Sequence, residues 1–253
     1  MEKKVLRGDD RKMDCLYEKD LMIPVSMTDF SARLGYHDIF TLFMDLAGEQ
    51  AEALGIGAAY MAKRGVFWLT VKTKIRFYER PGLNRRVKPS TWPQEPEKLH
   101  FDRSYQITQE GKTLIIGKTQ WALMDIAAGR LRPVGEVYPA ELTLDRAPAL
   151  DAPYAHIAET FDGAEDCGSY TVRPTDIDLG GHMNNAAYVR VLLDLFPTRT
   201  LKDTPIREID ALFRAPCFEG DTLHIQRRRG EGMQEFRMSA ADGKTVFLAR
   251  VGF

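Results

Sequence analysis

The chain has 253 residues, enough for one large domain or two small ones. Its 35 Lys plus Arg against 36 Asp plus Glu give a formal charge of −1, far from the dominant basic field of a nucleic-acid binder. Hydrophobic residues are 44% and charged residues 28%, ordinary globular usage, so disorder and fibrous architectures are excluded.

No window approaches the ~18 consecutive apolar residues of a membrane span. The opening MEKKVLRGDDRKMDC is charged and has no apolar stretch of the kind a secretory signal carries, and its first ten or so residues are expected to fray. Cys15, Cys167 and Cys217 are scattered, odd in number and without CxxC spacing, so neither a disulfide framework nor a zinc site is expected. The expected setting is a reducing cytoplasm.

Val25 to Asp29 reads as a short extended lead-in. A helix is predicted from Asp38, a good N-cap, with Ile39, Leu42, Phe43, Leu46 and Ala47 on one face. Phe40 and Met44 widen that face, and Gly55 and Gly57 stop the helix. VFWLTVKTKIRFYER then alternates, with Phe67, Leu69, Val71, Ile75 and Phe77 to one side and Thr70, Lys72, Lys74 and Arg76 to the other. That is a half-buried strand with one wet face. Further strands are predicted around Arg85–Thr91, Leu99–Thr108 and Thr113–Asp125, with turns at Pro81-Gly82 and Glu110-Gly111.

Residues 136–165 carry Pro139, Pro148 and Pro153 and lose any period, which reads as a linker between a first unit over 1–135 and a second over 166–253. The second unit repeats the order of the first. YTVRP is extended, TDIDLGGHMNN is turn-rich, and a helix starts near Asn184 or Asn185 with Tyr188, Val191, Leu192 and Leu195 on its face before Pro197. Strands follow at Ile206–Phe213, Thr222–Arg228, Gln234–Ser239 and Thr245–Phe253. Asp29 in TDF and Asp176 in TDI stand 147 positions apart (29 to 176), each before a helix and a run of strands. The fold class is α+β, a duplicated unit in which an antiparallel sheet wraps one long helix.

The chemistry concentrates in RPTDIDLGGHMNNAAYV. Asp176, Asp178, His182, Asn184 and Asn185 fall within ten residues, just before a helix. Gly180 and Gly181 allow a tight turn and close approach of a ligand. A helix N-terminus offers N–H groups to a developing oxyanion, and an imidazole beside it moves protons near neutral pH. The set suits acyl transfer or hydrolysis. The alternative reading is that Asp176 and Asn184 only cap turns while His182 is a structural hydrogen-bonder. A metal site on Asp176, Asp178 and His182 lacks a clear further ligand, so no metal and no cofactor is expected.

DLGGHMNNAAYV resembles the D-x-N-x-H-x-N-N-x-x-Y motif of acyl-acyl-carrier-protein thioesterases, the plant FatA/FatB type and its bacterial relatives. LFMDLAGEQAEALGIG, FWLTVKTKIRFYERP, KTQWALMD and LFRAPCFEGDTL extend the resemblance over nearly the whole chain. It implies a double hotdog fold and hydrolysis of fatty acyl thioesters of acyl carrier protein, the step that ends fatty acid synthesis. Residue by residue, Asp178 and His182 match the motif's aspartate and histidine, and Asn184 and Asn185 its paired asparagines. The motif's first asparagine falls on Gly180, and a glutamate-cysteine pair of the later strand falls on Pro216 and Cys217.

Two mechanisms follow from that match. In one, His182 activates water with Asp178 orienting it and helix N–H groups receiving the oxyanion. In the other, Cys217 attacks as a thiolate paired with His182. Glu219 is a candidate substitute for the missing carboxylate. Walls for the acyl chain are expected from Phe40, Phe43, Met44, Leu46, Phe67, Trp68 and Leu69. The acidic carrier protein is expected to dock on Lys72, Lys74 and Arg76, with Arg85, Arg86 and Arg227–Arg229 adding charge. A second copy of the chain is a candidate partner; nucleic acid and membrane are not. Two rivals stand beside the hydrolase. One is a hotdog hydratase or dehydratase using His37, Asp38, Asp45 or Glu49 of the first half, and the other is an acyl-binding protein without catalysis.

Overall fold

The computed structural model describes residues 13–139 and 142–253. The expectations for residues 1–12 lie outside the described residues. The first half runs β1 (Met13–Asp14), β2 (Tyr17–Glu18), β3 (Leu21–Met22), α1 (Tyr36–Ala53), α2 (Ala58–Lys63), β4 (Val66–Phe77), β5 (Arg86–Pro93), β6 (His100–Gln109), β7 (Lys112–Asp125) and β8 (Arg130–Arg132). After β9 (Leu142–Thr143), the second half runs β10 (Glu165–Thr171), α3 (Asn185–Leu193), α4 (Thr198–Asp203), β11 (Glu208–Phe213), β12 (Thr222–Gly230), β13 (Met233–Ser239) and β14 (Thr245–Gly252).

Strand order is β5-β6-β7-β4 in one half and β12-β13-β14-β11 in the other, so the two sheets have the same topology. They join where β4 pairs antiparallel with β11, from Glu208 opposite Arg76 to Leu212 opposite Lys72. One continuous sheet results, with α1 and α3 in contact on its helix-bearing side. This is the α+β double hotdog. Apolar residues of α1 and α3 merge with both half-sheets into a single core. Phe43 stacks on Tyr105 with ring centroids 4.4 Å apart, and it fits over β7 because position 117 is glycine: a Cβ there would lie 2.7 Å from the Phe43 ring.

The duplication is visible in backbone hydrogen bonds, but its offset is 149 rather than 147. The bridge Thr28–Leu34 repeats as Ile177–Met183. Gly35 N–H donates to the Met27 carbonyl at 2.9 Å, and Asn184 N–H to the Asp176 carbonyl at 2.8 Å. Asp29 N–H donates to the Arg33 carbonyl, as Asp178 N–H does to that of His182. The partner of Asp29 is therefore Asp178, not Asp176. Position 32, an alanine at φ 53°, matches Gly181 at φ 75°, so the left-handed turn is native to both loops.

Local differences from the sequence reading have specific causes. Val25–Met27 is a 3₁₀ turn, not an extended segment, with Thr28 closing it through N–H and Oγ1 onto the Val25 carbonyl. Gly35, not Asp38, caps α1; Asp38 sits in the first turn, where its charge meets the helix dipole favourably. In β4 a bulge between Thr70 and Lys72 breaks the alternation. Thr70 thereby faces Met44 of α1 at 3.8 Å, and Thr73, Ile75 and Phe77 carry the buried face beyond the bulge.

The other face of β4 is not wet. Tyr154 lies beneath the ammonium groups of Lys72 and Lys118, and Ile157 and Phe161 pack on Leu212 and Leu248. Residues expected to form a loose linker thus line the back of the sheet. Lys74 is only 5% exposed and binds Glu208 at 2.5 Å and Asp210 at 2.7 Å, while Arg76 binds Glu208 at 2.7 Å. Burial raises the Asp210 carboxyl, and Lys74 and the Ala155 N–H only partly offset it. Lys74 therefore cannot meet a carrier protein: it ties the two halves together.

Candidate active site

The loop ahead of α3 is knotted by its own aspartates. Asp178 Oδ1 accepts from Gly180 N–H at 2.8 Å, an Asx turn that curls the loop, and the Gly181 N–H closes it on the Asp178 carbonyl at 3.0 Å. His182 Nδ1 then stands 3.8 Å from Asp178 Oδ1, and Asn184 Nδ2 reaches Asp178 Oδ2 at 3.5 Å. Gly180 is needed for this arrangement, because a Cβ there would meet His182 Nε2 at 2.8 Å.

Asp178, Leu179, Gly180 and His182 form one end of a cavity of about 820 Å³ whose other walls belong to the first half and, at Tyr138, to the segment that follows it. That volume is within the range of small-molecule sites. The stripe Met44, Ala47, Gly48 and Ala51 of α1 supplies one wall at helical spacing, and its small side chains open the space. α2 supplies Ala58, Met61 and Ala62; the sheet supplies Val66, Phe67, Trp68, Phe101, Arg103 and Trp121. α2 holds its place because Glu52 Oε1 accepts the Ala58 N–H at 2.8 Å, over a glycine at 57 where a Cβ would strike that carboxylate.

Of the expected walls, Met44, Phe67 and Trp68 line the cavity. Phe40, Phe43, Leu46 and Leu69 do not: the first three are in the core, and the β4 bulge takes Leu69 off that wall. Sequence reasoning missed α2, Arg103, Trp121 and Tyr138. The first was hidden by reading Gly57 as a stop when it caps a new helix.

Asp176 is 3% exposed and fully engaged, accepting from Tyr170 Oη at 2.6 Å, Arg173 N–H at 2.8 Å and Arg190 at 2.6 Å. Burial raises its carboxyl, but these three donors outweigh it and hold the pKa below the usual aspartate value. It braces the loop and is not free to join Asp178 around a metal. Asn184 caps α3 through Ala186 N–H at 2.8 Å, and its carbonyl takes the Ala187 N–H, so these helix N–H groups are not offered to an oxyanion. Asn185 opens α3 and is not part of the cavity wall.

Cys217 is 1% exposed, belongs to the apolar core and does not line the cavity. Burial pushes its thiol pKa up, the reverse of what a thiolate nucleophile requires. Its carbonyl instead anchors the loop by accepting the Met183 N–H at 2.8 Å. Glu219 is exposed and also off the cavity. Of the first-half rivals, His37, Asp38, Asp45 and Glu49 are all absent from the wall, and Glu49 is held by Tyr17 and Lys19.

The matching loop of the first half explains Pro216. Leu34 N–H binds the Pro81 carbonyl as Met183 N–H binds that of Cys217, which sets Arg80 opposite Pro216. Arg80 clamps Asp29 in an ion pair, also reaches the Leu34 carbonyl at 3.0 Å, and lies over the Tyr36 ring at 4.0 Å. Proline at 216 has no charge with which to claim Asp178, so that carboxylate is left to His182.

The expected docking arginines are mostly spent. Arg227 and Arg229 share Glu165, and Arg228 binds Glu235. Arg85 and Arg86 are exposed where β5 begins and do not line the cavity. Lys63 and Arg64 are exposed at the end of α2, beside cavity residues Met61 and Ala62.

These features define a two-unit hotdog protein with a single His–Asp pair at the end of a largely apolar chamber. The family model of the acyl-ACP thioesterase N-terminal domain matches residues 14–142 and that of the C-terminal domain residues 162–250, so the chain belongs to the acyl-ACP thioesterase family. Among curated relatives, a chloroplastic acyl-[acyl-carrier-protein] hydrolase of Cuphea viscosissima is 26% identical over 64% of this chain and 41% of its own length. A chloroplastic oleoyl-acyl carrier protein thioesterase of Coriandrum sativum is 23% identical over 73% and 55%. The chain thus spans about half the length of these relatives. An acyl-ACP thioesterase structure from Bacteroides thetaiotaomicron superposes with TM-score 0.84 at 20% identity, covering 94% of this chain and 97% of that one. The 12:0-ACP thioesterase of Umbellularia californica does so with TM-score 0.77 at 16% identity, covering 98% of both. Both share the fold. Among the described residues no helix is long and apolar enough to cross a membrane.

Proposed function

We propose that this protein hydrolyses fatty acyl thioesters of acyl carrier protein, releasing free acid and ending chain growth. One observation carries the reading: His182 and Asp178 of the second half close a chamber built mostly from the first half. A chain lying among Met44, Met61, Phe67 and Trp68 brings its thioester to the imidazole. His182 takes a proton from water, and the water oxygen attacks the acyl carbon. The tetrahedral intermediate expels the carrier thiolate, which receives the proton back from His182. Asp178 orients the ring and is itself steadied by the Gly180 N–H and the Asn184 amide.

The carrier's acidic surface is met by Lys63 and Arg64 at the chamber rim rather than by Lys72, Lys74 and Arg76. A cytoplasmic setting fits the same reading, since Cys15, Cys167 and Cys217 are all unpaired. The test is a ladder of acyl carrier thioesters, with free acid and free thiol assayed at each length. Loss of most turnover in His182→Ala, with folding intact, is the expected result. Binding without turnover by the wild type on every length, or full hydrolysis by His182→Ala, would overturn the proposal.

A further inference from the structure

We propose that the chamber recognises an oxygen atom carried on the acyl chain, and that Arg103 selects it. The inference rests on the reading that the chamber holds the acyl part of a thioester. A plain hydrocarbon chain calls only for apolar walls, yet Arg103 lines the cavity and is 4% exposed. Its partners are neutral: Gln50 Oε1, Thr91 Oγ1 at 3.4 Å and the Phe101 ring at 5.9 Å. Among the described residues no carboxylate pairs with it. Asp102, next along the strand, points to the opposite face, where it accepts from Tyr154 Oη at 3.0 Å.

Two more polar groups of the same wall have no partner among the described residues. Trp121 Nε1 and Tyr138 Oη are both buried and unsatisfied. The guanidinium and the indole N–H can only donate, and the phenol can donate as well. The acceptors within reach of Arg103 are already shared: Thr91 Oγ1 donates to the Ser104 carbonyl at 2.9 Å, and Gln50 is fixed through Nε2 to the Cys15 carbonyl at 2.6 Å. Buried donors left unmet are costly, and a buried cation with no anion more so. A hydroxyl, oxo or carboxylate oxygen on the substrate gives the guanidinium the acceptor it lacks; the indole N–H and the phenol oxygen are sealed from the chamber as it stands. The substrate class is therefore an oxygenated acyl thioester, with the plain chain of the same length as the poorer substrate.

The experiment compares carrier thioesters matched in length: plain, 3-hydroxy, terminal hydroxy and terminal carboxy. At least one oxygenated member is expected to exceed the plain one in kcat/KM by about tenfold or more, and the arm that does so identifies the oxygen. Arg103→Met should abolish that preference, bringing the ratio of oxygenated to plain kcat/KM to about one, because methionine fills similar space without charge. If Arg103→Met does not fold, Arg103→Lys keeps the charge but loses the fork, and should retain a reduced preference. A second measurement does not depend on turnover. Calorimetric binding of S-alkyl pantetheine thioethers to the wild type should be tighter when the alkyl chain carries the favoured oxygen. Failure of hydrolysis with this preference intact would sink the hydrolase reading alone. Equal affinity and equal kcat/KM for plain and oxygenated chains would overturn the role of Arg103. So would a uniform fall of kcat in Arg103→Met on every substrate, which would place the guanidinium at the reacting carbonyl.

Discussion

Asparagine at position 180 would complete the family motif in writing, and in this fold it should damage the site. A Cβ on Gly180 falls 2.8 Å from His182 Nε2 and 3.1 Å from both His182 Cε1 and Asp178 Oδ1, where ordinary contact begins near 3.4 Å. The imidazole must therefore retreat by about 0.6 Å for the first carbon alone, and further for the amide. Misplacement of about 1 Å costs on the order of a hundredfold in rate, so kcat/KM should fall by roughly ten- to a hundredfold. Folding should suffer little. The His182 side chain is 26% exposed and the ring can swing toward solvent, so a cost below about 1 kcal/mol and a Tm within about 3 °C of wild type are expected. The assay is steady-state hydrolysis of an acyl carrier thioester beside a thermal melt, with Gly180→Ala as the control that adds the Cβ without the amide. Wild-type kcat/KM in Gly180→Ala, or a gain in Gly180→Asn, would refute the reasoning.

Cys217→Ala should keep kcat within about twofold, because the sulfur is sealed in the core, while stability falls by about 1–2 kcal/mol for the atoms removed; loss of turnover in a folded variant would restore the covalent route. Lys74→Met leaves Asp210, 1% exposed, without its cation and should cost about 3–5 kcal/mol in urea unfolding, most of it recovered in Lys74→Met/Asp210→Leu. The Asp176 carboxyl has its folded pKa below the unfolded value of about 3.9, so its stabilisation is present above that pH and lost as pH falls through the folded value. Arg190→Leu should accordingly lower Tm at pH 7, with the gap to wild type closing as pH falls below the unfolded value of about 4; a gap constant with pH would contradict the assignment.

The repeat of helix and strands was legible because buried periodicity is written in adjacent residues. Ile39, Leu42, Phe43 and Leu46 announce α1, and Tyr188, Val191 and Leu192 announce α3. The Asp178–His182 pair was legible for the same reason, since five residues of one loop hold it. What escaped notice depends on neighbours distant in sequence. Nothing local says that Lys74 faces Glu208 and Asp210, because that face is covered by a segment some eighty residues later that the prolines made look loose. The β4 bulge left no mark in VFWLTVKTK, which alternates well enough to hide one surplus residue. The offset of 149 was missed because TDF and TDI look alike, whereas hydrogen bonding pairs Asp29 with the aspartate two places on.

The β4–β11 ladder has a kinetic corollary. Two lobes that share a strand pair cannot swing apart as a clamshell without tearing five paired positions and the ions beside them. On the proposed reading, admission of a long acyl chain is then a matter of local breathing, by short α2 and by the tip of the turn at Leu179, whose side chain stands fully in solvent next to Asp178 in the chain. Amide exchange should then be slowest along that shared ladder and fastest over those two portals.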